Sequence, residues 1–223
     1  MKKNNEFSVI LNAGHFLYDE GAKSGKLVES KMAMILRDMV STRLEQLGYK
    51  VHRVPDNLDI KESVEYEKKH ANENSVSLDI HFDSFGDPSA GGTTAYFFRN
   101  EIVAATFSKH VSQALGIRNR GAKMDNQSQH DRLAWCRDTI GRAVVLECCY
   151  LSSPEDMAKF NYEKCADGIV NAIKEIEPPM ITVAETVRIN IPKEETFLEK
   201  LLKFLSSLFK SKKLGSSAPK TEY

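Results

Sequence analysis

The chain reads as an α/β protein built on a mostly parallel sheet with helices on both faces. Three observations predict this. Apolar runs of strand length recur at residues 7–11, 49–54, 76–82 and 142–150. The segments between them carry apolar residues at helical spacing, and long strand–helix–strand units lay parallel strands side by side. With 223 residues, 41% of them hydrophobic, the chain can bury a sizeable core without disulfide or metal staples.

Taken in order, residues 7–11 form the first strand. A loop covers 12–26, where Gly14, Gly21 and Gly25 lie among polar residues. Residues 29–47 form a helix: Met32, Ile35, Leu36, Met39, Val40, Leu44 and Leu47 keep the 3.6-residue period, and Gly48 stops it. Residues 49–54 are the second strand, ended by Pro55, and 59–74 a polar helix on the outside of a layer. Residues 76–82 are the third strand. A turn at 86–92 leads to a fourth, 93–98, with a β-branched and aromatic bias. One antiparallel strand is expected here, because only a turn separates it from the third. Residues 101–115 form a helix with Val103, Ala104, Phe107, Val111 and Leu115 on one side, closed by Gly116. Residues 117–129 read as a basic, polar loop, 133–136 as a short strand and 142–150 as the last and most apolar strand. Ser152, Ser153, Pro154 and Glu155 then open a helix that runs to about 175.

Residues 1–175 therefore form one domain. Residues 176–194 are a linker with strand-like alternation, and 195–223 a basic amphipathic helix followed by a disordered tail. Between 197 and 213, eight apolar residues share the segment with five lysines and one acid, Glu199. Such a face suits an anionic membrane, a wall polymer or self-association. Over the whole chain 31 basic residues balance 31 acidic ones, which gives no argument for a nucleic-acid partner. The cysteines at 136, 148, 149 and 165 lack zinc-knuckle spacing and read as core residues of a reducing compartment. The basic start has no apolar stretch behind it, so no signal peptide is expected and synthesis is placed in the cytoplasm.

Two strands run into a histidine, at Ala13-Gly14-His15 and at Ile80-His81, and a third into Leu146-Glu147. In an α/β sheet, ligands gather at the C-terminal strand ends. Glu29, at the start of the first helix, can reach the same rim. Two histidines and one carboxylate are a recognised catalytic zinc set, with a fourth position left for water or substrate. A second glutamate can take a proton from that water. Glu147 inside an apolar run costs several kcal/mol if unpaired. Pairing with Arg142 or Lys123 would relieve that, and so would a nearby metal. His52, His70 and His110 read as surface histidines, whereas His130, in a loop beside Asp131 and Arg132, is placed to contact substrate.

These residues, taken together, resemble the zinc-dependent N-acetylmuramoyl-L-alanine amidases of bacterial cell-wall hydrolases and phage endolysins. The matching pieces are Leu11-Asn12-Ala13-Gly14-His15, Glu29, Leu78-Asp79-Ile80-His81-Phe82-Asp83-Ser84, Asn119-Arg120-Gly121-Ala122-Lys123, and Val144-Val145-Leu146-Glu147 with Leu151-Ser152-Ser153-Pro154 following. The resemblance spans residues 7 to about 173. It implies a six-stranded sheet, one zinc per chain on His15, Glu29 and His81, and Glu147 as the catalytic glutamate. It also implies bacterial peptidoglycan as partner, cut between N-acetylmuramic acid and L-alanine. Asn12 and Lys123 are candidates to bind substrate. The chain departs from the family at Phe16, where many relatives have glycine, and at Asp83, where many have asparagine. An extra charge beside zinc would tighten the metal and weaken its Lewis acidity. The expected setting is a phage lysin made in the host cytoplasm and acting at the wall after release. A zinc peptidase of the stem peptides and a non-catalytic wall-binding protein are the alternatives.

Overall fold

The computed structural model describes residues 6–177. The linker and amphipathic helix expected beyond them lie outside the described residues. In chain order the elements are β1 (Val9–Ala13), β2 (Lys23–Ser24), β3 (Leu27–Val28), α1 (Glu29–Gln46), β4 (Val51–Arg53), α2 (Ile60–His70), β5 (Val76–Asp83), β6 (Thr93–Phe97), α3 (Glu101–Leu115), β7 (Asn119–Met124), α4 (Ala134–Asp138), β8 (Arg142–Tyr150), α5 (Pro154–Lys159) and α6 (Tyr162–Ile176). Six strands form one mixed sheet in the order β4-β1-β5-β8-β6-β7, and β2 and β3 make a separate two-stranded ribbon.

β4, β1, β5 and β8 run parallel. The antiparallel strand falls at β6, as expected, and it pairs with β8. β7 lies outside it and follows its direction. From β1 the chain moves outward to β4 and then returns past β1 to β5. Strand order therefore reverses between β1 and β5, where an α/β sheet opens its ligand crevice.

The two-residue period of the strands sorts side chains between two cores. On one face Val9, Leu11, Leu78, Ile80, Val144 and Leu146 pack beneath α1, α3 and α6, against Leu36, Phe107 and Ile169. On the other, Ile10, Val145, Ala143 and Tyr96 meet Val64 of α2 and Trp135 and Cys136 of α4. Among the described residues only these two short helices cover the second face. Its strand ends stay open, and Asn12, Asp79, His81 and Glu147 lie on that side.

Three expectations are corrected. Residues 119–124 are a strand, not a loop: at the sheet edge only Ala122 and Met124 pack on the core, so the segment lacks an apolar run. Residues 134–138 are helical, not a strand; four apolar residues carry no period that separates the two. The last helix is two helices, because Phe160 is extended and Asn161 caps a new one, accepting from the Lys164 N–H at 3.0 Å. α2 has the capping box expected of a clean start, Asp59 with Glu62. It is less external than its polarity suggests. Glu67 is fully buried and accepts from the Ser77 hydroxyl at 2.6 Å and from the N–H groups of Ile140 and Gly141 at 2.9 Å each.

Candidate metal and catalytic site

β1 ends in Ala13, and the chain then tightens. Gly14 N–H donates to the Ile80 carbonyl at 2.7 Å, which draws the turn against β5. Gly14 is required there: a Cβ would stand 2.4 Å from the His81 ring. His15 follows with φ of 68°, the left-handed region that costs a non-glycine residue about 1–2 kcal/mol. A short turn from Phe16 to Asp19 then returns the Asp19 carboxylate to His15, whose Nδ1 donates to it at 2.8 Å. The β2–β3 ribbon delivers Glu29 to the first position of α1, where the helix N-terminus favours a carboxylate. Glu29 is buried and accepts from Ala22 N–H at 2.8 Å and Phe82 N–H at 3.1 Å.

His15, Glu29 and His81 converge. His15 Nε2 lies 2.9 Å from Glu29 Oε2, and His81 Nδ1 lies 2.9 Å from Glu29 Oε1. The ligand atoms of the three fall within 4.8 Å of one another. The donor set is the two-imidazole, one-carboxylate type that zinc takes. Each imidazole is also oriented from behind, as metal-binding histidines are. Asp19 holds Nδ1 of His15, leaving Nε2 for an ion, and Asp79 accepts from Nε2 of His81 at 3.1 Å, leaving Nδ1. Asn12, buried, donates to the other Asp79 oxygen at 2.9 Å. Asp19 and Asp79 were missed in the sequence. Asp79 carried a signal, since a residue two before His81 in a strand shares its face.

Electrostatics support the same picture. Burial opposes the charge on both histidines and on Glu29; the bonds of Glu29 with the two imidazoles outweigh it for His15 and Glu29, and Asp79, followed by Glu29, outweighs it for His81. His15 and His81 are raised above the usual imidazole value, His81 strongly, and Glu29 is held below the carboxylate range. A divalent cation bound here would take the place of protons on the imidazoles.

Glu147 is the strand neighbour of His81, in register across β5 and β8. Its Oε2 is buried and has no hydrogen-bond partner. Burial, opposed by His81 and reinforced by Asp83, Glu29 and Asp79, pushes its pKa up to about 8. Neither proposed ion pair forms: Arg142, at the far end of β8, donates to the Asn74 carbonyl, and Lys123 stands two strands away on β7. Asp83 faces Tyr150, whose hydroxyl it accepts, and takes the Ser84 N–H at 2.7 Å.

The cluster lies in a cleft of about 700 Å³. Phe16, Asp59, Ile60, His130, Arg132 and Trp135 are among the residues that line it. Asn12, buried, and His130, on an exposed loop, both border the cleft, whereas Lys123 is not among its lining residues and is the register neighbour of one of them, Tyr96.

Comparison with known proteins agrees with this architecture. The solved catalytic domain of CwlV, an N-acetylmuramoyl-L-alanine amidase from Bacillus (Paenibacillus) polymyxa var. colistinus, superposes with a TM-score of 0.65 at 27% identity, over 75% of this chain and 97% of that one. AmiC, the N-acetylmuramoyl-L-alanine amidase of Neisseria meningitidis, is 31% identical over 107 residues, which are 47% of this chain and 26% of the relative. The "Probable cell wall amidase LytH" of Staphylococcus saprophyticus is 26% identical over 154 residues, 67% of this chain and 50% of that protein. The chain thus spans between a quarter and half the length of these curated relatives. The family model described as N-acetylmuramoyl-L-alanine amidase matches residues 9–175, the whole of the sheet and its helices, and the chain belongs to that family.

Proposed function

We propose that the chain is a zinc-dependent hydrolase of bacterial peptidoglycan that cuts the amide between the lactyl group of N-acetylmuramic acid and the L-alanine of the stem peptide. The observation that carries this is the pairing of two features in one cleft: three convergent ligand atoms, and beside them a glutamate whose buried oxygen has no partner. Zinc would be held by His15 Nε2, Glu29 and His81 Nδ1, and when bound it supplies a Lewis acid that polarises the scissile carbonyl and acidifies water. Glu147 takes the proton of the attacking water at its free oxygen and returns it to the leaving nitrogen. The Asp19 and Asp79 carboxylates keep both imidazoles in one tautomer while this happens. Tyr96 and Trp135, both buried, line the same cleft.

Digestion of peptidoglycan by the zinc-loaded protein and by Glu147→Ala, with mass analysis of the products, tests the reading. Stem peptides with free L-alanine amino termini are expected from the wild type. The variant should keep its fold and lose about 10²–10⁴-fold in turnover. New termini inside the stem would identify a peptidase on the same site. Wall binding without any cleavage would leave a binding protein and overturn the enzyme assignment.

We also propose that the enzyme is a lysin of the phage type, made in the host cytoplasm and acting at the wall after release. The support is the amidase domain itself. Expression in a host with and without a membrane-permeabilising protein tests it: lysis only in the second protein's presence is expected, and lysis in its absence refutes it. The basic stretch at 197–213 would bring the enzyme to an anionic surface or to a second copy, and sedimentation with anionic vesicles separates the two.

A further inference from the structure

The face that carries the site continues past Glu147 onto the reversed edge of the sheet. There, in register, Asn12, Asp79, Val145, Tyr96 and Lys123 form one row across five strands. Tyr96 lines the cleft, and Lys123 is its outer neighbour on β7. Arg120, on the same strand, stacks its guanidinium 5.1 Å over the Tyr150 ring. One of its Nη atoms donates to the Gly91 carbonyl at 3.3 Å, and its Nε is buried without a partner. Among the described residues neither cation has an ion-pair partner within 4.0 Å. Asp83, the acid that acts on Lys123, is engaged by the Tyr150 hydroxyl and the Ser84 N–H. Burial, then Arg120 and Arg118 with Asp83 opposing, lower the Lys123 pKa, as expected of cations crowded without enough negative charge.

Two such cations beside a hydrolytic cleft lack an anion, and the geometry says where one would come from. Adjacent strands are about 4.8 Å apart, so β7 lies roughly 10 Å from β8 and Glu147. An extended peptide advances about 3.3–3.6 Å per residue. Two residues of a chain leaving the scissile amide toward β7 therefore span about 7 Å, and the Arg120 guanidinium, lying back over Tyr150 of β8 with Lys123 beside it, covers the remainder. In a stem peptide the second residue is a γ-linked glutamate, whose α-carboxyl is free in some walls and amidated in others. We propose that Arg120 and Lys123 form a carboxylate subsite that selects stem peptides with a free carboxylate on the second residue. This rests on the amidase reading above and adds the substrate class to it.

The test uses the full chain with zinc and two synthetic substrates, N-acetylmuramoyl-L-alanyl-γ-D-glutamyl-L-lysine and its D-isoglutamine counterpart. A charge-assisted bond is worth about tenfold or more in binding, so the wild-type KM for the amidated substrate should exceed that for the acid by about that factor. In Lys123→Gln the ratio of the two KM values should fall toward one, and Lys123→Arg should restore it. Competition by the released peptides, acid against amide, reads the same ratio without turnover. Wild-type cleavage of both substrates with equal KM, or an unchanged ratio in Lys123→Gln, overturns the subsite and leaves the amidase standing. Cleavage of neither substrate overturns both.

Discussion

Changing Asp79 to asparagine should weaken zinc binding while leaving the fold in place. One Asp79 oxygen accepts from Asn12 at 2.9 Å and the other from His81 Nε2 at 3.1 Å. An asparagine offers one oxygen and one NH₂, so it can serve only one of these two donors; the other meets a donor instead. If the Asn12 bond survives, His81 loses the acceptor that fixes its tautomer and ring orientation. Loss of such a partner typically costs about 10–100-fold in metal affinity, which is roughly 1.4–2.8 kcal/mol. Asp19 does the same for His15, but its side chain is 51% exposed where that of Asp79 is 4% exposed. Water can replace Asp19, so Asp19→Asn should cost less. Competition against a chromophoric zinc chelator reads both affinities, with circular dichroism as the folding control. If Asp79→Asn folds and binds zinc as tightly as the wild type, or if Asp19→Asn loses more than Asp79→Asn, the tautomer argument is wrong.

Two further outcomes follow from the same geometry. His15 and His81 have folded pKa values above the ordinary 6.5, and Glu147 is raised from 4.5 to about 8. A raised group contributes stability that is complete below its unfolded value and lost as pH rises through its folded one. The metal-free protein should therefore lose stability from mildly acidic pH to beyond pH 8 or so, while Glu29, lowered, gives the opposite loss only on strong acidification. Zinc bound as proposed would displace the histidine protons, so its stabilising effect should grow with pH; thermal melts with zinc and with chelator across that range check this, and a zinc effect independent of pH would contradict it. Gly14→Ala should displace the His81 ring, since the new Cβ would stand 2.4–2.6 Å from it, and reduce zinc affinity by about tenfold or more with the sheet intact. An alanine variant with wild-type affinity, measured by the same chelator competition, would show that His81 has room the structure does not give it.

Much of this architecture was legible because it is written locally. The apolar runs of β1, β5 and β8 and the helical period of α1 and α3 are properties of short windows. Gly48 and Gly116 stop α1 and α3 by the same local chemistry. β7 was not legible, because an edge strand buries one side only and Asn119, Arg120 and Lys123 obscure the alternation of Ala122 and Met124. The break at Asn161 was hidden for a related reason: the apolar pattern continues across it, and one capping side chain decides the matter.

The sequence by itself determined that histidines and carboxylates would arrive at strand ends and a helix start, and the motif order carried the family resemblance. Only the tertiary structure decided where each carboxylate stands. Nothing in the spacing of Glu29 and Glu147 says that one meets both imidazoles and the other is left with a bare oxygen. Nor could it say that Asp19 and Asp79 choose the histidine nitrogens, or that Lys123 and Arg120 come to rest beyond Tyr96. Those outcomes depend on strand order and register, which join residues far apart in the chain. The two-residue period sets which face a side chain takes, but its neighbours on that face are set by which strand pairs with which.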